Sequence, residues 1–272
     1  MNRFAALLDR LMFEPRRNAK LRLLMDYFSH TPDPDRGYAL AAMTSALMFK
    51  EAKPGLIRGL VEERTDPELF RMSYHYVGDL AETVALIWPA PGHESVAPAS
   101  GDIPAIGHNN PPPHVPSLTE VVETLATTGK SDLPAKVTGW LDALDETGRW
   151  ALLKLITREL RVGVSARLAK TAVAQLGGFE ADEVELIWHG LEPPYEELFA
   201  WVEGKGPKPE TSNPAPFRPP MLSHPLEDED FPKLEASDFL AEWKWDGIRL
   251  QAVSGHGTDG RPVRRIYSRT GE

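Results

Sequence analysis

AEWKWDGIRLQAV, residues 241–253, is where the chain passes from helical to extended patterning. Ile248, Leu250 and Ala252 alternate with Arg249, Gln251 and Val253, which is the two-residue period of a strand. A Gly-rich turn over 254–262 leads to a second extended run, 263–267, so the pair reads as a hairpin. Continued back to 242, the same period puts Glu242, Lys244 and Asp246 on one face. The plain reading of that trio is a surface ladder of opposite charges, worth a small fraction of a kcal/mol.

Toward the N-terminus the period lengthens. Phe4, Leu7, Leu8, Leu11 and Met12 recur at one-face helical spacing, as do Leu21, Leu24, Met25 and Phe28. Glu14-Pro15-Arg16-Arg17 breaks the two, with Pro15 suited to the first turn of the second helix. Further helices are expected over 38–50 and 68–86. Residues 89–117 are rich in Pro, Gly, Ser and Asn and read as a linker or long loop. Helical stripes resume with Leu118, Val121, Val122 and Leu125, then with Val184, Ile187, Trp188 and Leu191, and with Tyr195, Leu198, Phe199 and Val202. A second proline-rich stretch within 206–225 marks a boundary. The expected fold is therefore multidomain: an all-α region over 1–205, a linker over 206–225, and the start of an α+β domain over 226–272.

Composition narrows the chemistry. The 272 residues include no cysteine, which removes disulfides, thiolate nucleophiles and cysteine-held zinc. No apolar run approaches the roughly 20 residues needed to span a bilayer, and the start does not read as a signal peptide, so a cytosolic protein is expected. The net charge of -10 argues at first against nucleic acid. Locally the sign reverses: residues 149–170 carry Arg149, Lys154, Arg158, Arg161, Arg167 and Lys170 against Glu159 alone. The acids gather at 180–185, 192–197 and 227–230, where solvated faces or loops are expected.

Chemistry concentrates on Lys244. Two indoles flank it and Gly247 follows, a setting expected to reduce solvation of the ammonium and to let a phosphate-bearing ligand approach the backbone. A neutral lysine amine can attack the α-phosphate of a nucleotide, expel pyrophosphate and hold the nucleotide through a phosphoramide bond. The neighbouring carboxylates oppose this by favouring the ammonium. His75, His108, His114 and His256 show no metal-ligand spacing, and neither a P-loop nor a dinucleotide fingerprint is present.

Glu242-Trp243-Lys244-Trp245-Asp246-Gly247-Ile248-Arg249 resembles the active-site motif of ATP-dependent DNA ligases, and Tyr267-Ser268-Arg269-Thr270-Gly271-Glu272 resembles their next motif. The resemblance implies an ATP-grasp-like ligase nucleotidyltransferase domain in which Lys244 is adenylylated, Glu242 meets the adenine end of ATP, and Arg249 and Arg269 meet ribose or phosphate. It also implies ATP and Mg2+ as cofactors, nicked duplex DNA as partner, a monomer, and residence with the bacterial nucleoid.

Residues 159–170 are similar to the helix-turn-helix stretch of the DNA-binding domain that precedes this core in many such ligases. Gly163 can close one helix and Ser165 can cap the next. Helix amino-terminal N–H groups beside Arg161, Arg167 and Lys170 suit backbone phosphates. Arg16, Arg17 and Lys20 form a second candidate patch, because cations at a helix start oppose its dipole. The family continues past the second motif with a ribose carboxylate, metal-binding acids, further lysines and an OB domain, so the 272 residues alone are expected to bind DNA without sealing nicks. Two other readings stand beside this one: an RNA-capping or RNA ligase enzyme sharing the Lys-x-Asp-Gly chemistry, and a non-catalytic, truncated DNA-binding module.

Overall fold

The computed structural model describes residues 1–89, 114–210, 213–220, 225–269 and 271. The proline-rich run over 90–113, with His108, lies outside the described residues, as do Met221, Leu222, Thr270 and Glu272. Among the described residues are twelve α-helices, two single-turn 3-10 helices and one two-stranded antiparallel sheet. No helix among them is long and apolar enough to cross a membrane. The chain divides into two compact units, 1–179 with 192–208, and 180–191 with 209–272.

The first unit is helical throughout. It comprises α1 (Asn2–Phe13), α2 (Arg17–His30), α3 (Asp35–Met43), α4 (Pro54–Glu62), α5 (Pro67–Val77), α6 (Leu80–Ile87), α7 (Leu118–Thr127), α8 (Leu133–Ala143), α9 (Glu146–Thr157) and α10 (Ala166–Leu176); α12 (Glu196–Val202) returns to it later in the chain. Helix α9 is its central rod. Trp150, Ala151, Leu152, Leu153, Leu155 and Ile156 are all buried, because α1, α4 and α6 pack around it. Lys154 is buried on the same rod, and its ammonium meets Asp79 at 2.6 Å and Glu82 at 3.6 Å. A charge taken out of water needs such partners.

A second buried cation, Arg36, joins three helices of the unit. The Arg36 guanidinium donates two 2.7 Å hydrogen bonds to the Asp33 carboxylate, one of 3.2 Å to the Phe28 carbonyl and others to Glu203, and it lies 4.3 Å above the Phe199 ring. Helices α2, α3 and α12 are thereby tied at one point. The arginine pulls the Glu203 carboxyl down to about 2, with Lys205 assisting at 2.7 Å.

Several helix limits differ from the sequence expectation. The helix expected over 38–50 runs from Asp35 to Met43 and stops there, with Ser45 in the left-handed region at φ 59°. The single helix expected over 68–86 is two, because Gly78 ends α5 and the Asp79 carboxylate accepts the Glu82 N–H to start α6. Pro15 lies outside α2, whose first turn begins at Arg17.

The second unit holds α11 (Ala181–Trp188), the 3-10 turns Phe231–Lys233 and Ala236–Asp238, and a hairpin of β1 (Leu250–His256) and β2 (Pro262–Ser268). The hairpin is the expected one, in the register Leu250↔Ser268 to His256↔Pro262. Residues 180–191 and 209–220 join this unit rather than a helical region ending at 205 and a linker. Glu185, expected on a solvated face, is buried in α11.

Candidate nucleotide cleft and basic loop

Residues 213–220 are stitched to β1 by the side chain of Gln251. Its carbonyl accepts the Arg218 N–H at 2.7 Å and its amide donates to the Arg218 carbonyl at 2.8 Å, so one side chain imitates a strand neighbour. Gly255 permits the same approach further along, since a Cβ there would fall 1.7 Å from the Pro214 carbonyl oxygen. The Tyr267 hydroxyl donates to the Ala215 carbonyl at 2.6 Å, and the Phe217 and Tyr267 rings meet edge to face at 5.6 Å. Ala215, Phe217 and Tyr267 form a small buried core against this face of the hairpin. The opposite face, Leu250 and Ile266, stays exposed, as a two-stranded sheet leaves it.

Phe217 of this core also borders a cleft of about 420 Å³. Lys244, Asp246, Gly247 and Arg249 line one side, Ser268 and Arg269 another, and Phe217, Pro220, Leu250 and Gln251 complete it. The volume falls within the roughly 300–1,000 Å³ of small-molecule sites. The two segments singled out in the sequence, 242–249 and 267–272, thus contribute to one concavity, because the hairpin register sets Leu250 opposite Ser268. An ammonium, two guanidinium groups, a hydroxyl and the Gly247 backbone N–H make a donor set suited to a polyphosphate. Glu242 is exposed and is not among the lining residues.

The setting of Lys244 departs from expectation. Residues 241–249 form neither helix nor strand and bend at Gly247, so the common face expected for Glu242, Lys244 and Asp246 has no sheet to define it. Trp243 and Trp245 are 86% and 82% exposed, and Lys244 is exposed with them. The indoles therefore do not shield the lysine: among the described residues no neighbouring strand or covering layer holds them against it.

The basic candidates of the first unit converge on another place. Lys20 is buried, and its ammonium donates to the carbonyls of Val162 at 2.6 Å and Gly163 at 3.1 Å. It is a staple between the start of α2 and the loop 158–165, not an outward cation. Gly163 suits the place, with φ +67°, and a side chain there would push the Lys20 ammonium off these carbonyls. The residue that closes α9 is Arg158, in the left-handed conformation at φ 60°, five positions before the expected Gly163. Ser165 does cap α10, its hydroxyl accepting the Leu168 N–H at 3.1 Å.

Of the six basic residues in 149–170, Lys154 and Lys170 are buried, and Arg149 donates to the Leu141 carbonyl at 2.6 Å. Arg158, Arg161 and Arg167 remain exposed, with Arg161 lying 3.3 Å from Glu159. Arg17 is exposed, and Arg16 pairs with Glu14 at 3.0 Å. Beside the loop is a cavity of about 340 Å³ lined by Ser45, Arg158, Arg161 and Val162, among others. Three of the four non-glycine residues with positive φ among the described residues, Ser45, Arg158 and Arg161, line it. Such strain concentrates where a ligand or partner is met. Sequence patterning missed Arg158 as a cap and Gln251 as a clamp, since neither depends on a local period.

No group of three or more His, Asp or Glu among the described residues is arranged to hold a metal ion. A scan against protein-family models finds no match, and a search of curated proteins finds no relative.

Proposed function

We propose that the protein is a lysine nucleotidyltransferase of the ATP-dependent DNA ligase kind, with Lys244 as nucleophile and the helical unit as the duplex-DNA grip. The observation that carries this reading is the shared cleft, in which Lys244, Arg249 and Arg269 face one concavity sized for a nucleotide. In this reading Lys244 Nζ, once neutral, attacks the α-phosphorus, an N–P bond forms and the bond to pyrophosphate breaks. Arg249 and Arg269 neutralise phosphate charge. Arg158, Arg161, Arg167 and Arg17 supply phosphate contacts to duplex DNA, around the N–H groups at the start of α10. The AMP would pass to the 5'-phosphate of a nick, whose 3'-hydroxyl displaces it. Such a protein works as a monomer beside the bacterial chromosome.

A second reading, a DNA-binding module without nucleotide chemistry, is favoured by the exposure of Lys244 and of its flanking indoles. One experiment separates them. Full-length protein is incubated with α-labelled ATP and Mg2+, freed of nucleotide, then given nicked duplex DNA or RNA with a 5'-phosphate or diphosphate end. Transfer of label to the nicked DNA is the expected result. Transfer only to RNA would make it an RNA-processing relative, and a protein that never takes up label would be the binding module.

A further inference from the structure

Neither the nucleotide cleft nor the basic loop accounts for a groove between α1, α6 and the start of α9. It encloses about 280 Å³. Trp150 forms its buried floor, while Met12, Phe13 and Leu86 in its walls are 41%, 73% and 59% exposed. Large apolar side chains exposed side by side mark a docking surface more often than an idle one. Asp9, Glu82 and Glu146 complete the lining, and no Lys or Arg contributes to it. Glu82 is shared with Lys154 at 3.6 Å, whose closer partner is Asp79 at 2.6 Å. An apolar groove ringed by carboxylates repels nucleic acid and acidic segments and attracts cationic ones.

We propose that this groove docks a cationic amphipathic peptide segment of a partner protein. One or two apolar side chains would sit among Met12, Phe13 and Leu86, with flanking Lys or Arg directed at Asp9, Glu82 and Glu146. The run 90–113, which follows α6 in the chain, is the wrong occupant by charge: it contains no Lys or Arg and carries Glu94 and Asp102.

The test uses full-length protein and a fluorescein-labelled twelve-residue peptide with Leu and Phe at helical one-face spacing and Lys or Arg elsewhere. Fluorescence anisotropy at about 0.1 M salt should show saturable binding. Leu86→Ser should weaken it about tenfold, and the pair Asp9→Asn with Glu146→Gln by a similar factor, with duplex-DNA affinity and melting temperature unchanged. A peptide with Glu and Asp in place of Lys and Arg should not bind. The charge pair tests the groove independently of Leu86, should that variant misfold. Equal affinity for parent and variants would overturn the proposal. So would a gain of about tenfold on deleting residues 90–113, which would make that run the occupant, or a protein dimer dissolved by Leu86→Ser, which would make it a second copy.

Discussion

Exchange of Arg36 for Met should cost about 3–5 kcal/mol of stability, because it strips the network of its buried cation, leaving Asp33 without its 2.7 Å partner and Glu203 with only the exposed Lys205. For a unit of this size that lowers the melting midpoint by roughly 10 °C. The loss also has a pH signature. The Glu203 carboxyl sits at about 2 in the folded protein against an ordinary 4.5, held there chiefly by its hydrogen bond from Arg36. A carboxyl depressed on folding adds stability that is fully present above its unfolded value and fades as the pH falls toward its folded one. The parent should therefore lose stability between pH 4.5 and about 2 through this group, and Arg36→Met should lose less over that window. Calorimetric melting across it decides. A variant that melts with the parent, or that keeps the same acid dependence, contradicts the network as described.

The second large effect belongs to the loop between α9 and α10. Reversing two exposed charges with Arg161→Glu and Arg167→Glu should lower affinity for a duplex by about 10–100-fold and reduce the slope of log affinity against log salt by about two. Both side chains are exposed, so the melting temperature should hold. Titration of a labelled nicked duplex at several salt concentrations measures both quantities. Unchanged affinity and slope would remove the loop from the DNA-binding surface proposed above.

The local patterns carried much of this fold, and their failures have physical causes. Helices α1, α2, α7, α11 and α12 each show one apolar stripe, and a stripe is visible without knowing what covers it. Helix α9 shows none, since it is apolar on nearly all sides, and is not legible by period. Helix α8 does carry a stripe, at Leu133, Val137, Trp140 and Leu141, which sequence patterning missed. Helix α4 is not among the helices expected from the sequence; Pro54 opens it, where a missing N–H costs nothing. The stripe over 68–86 continues across Gly78 and hides the junction between α5 and α6.

At the candidate sites, the pairing of 242–249 with 267–272 was legible as order along the chain, and the hairpin turns that order into one cleft. The environment of Lys244 was not legible, because shielding depends on distant segments and none among the described residues covers it. The same limit applies to Lys20 and Lys170. Both read as phosphate contacts in a basic stretch, yet both are buried, and only the three-dimensional approach of Val162 and Gly163 reveals that Lys20 binds the chain itself.

The most direct test of the central claim is the covalent state of Lys244 after full-length protein meets ATP and Mg2+. Peptide mass mapping should find AMP on Lys244 of the parent and on no other residue. The variant Lys244→Ala should carry none while melting as the parent does, since the side chain it removes is exposed. AMP that persists on the Lys244→Ala protein, or a parent that never acquires it, would contradict the assignment of Lys244 as nucleophile.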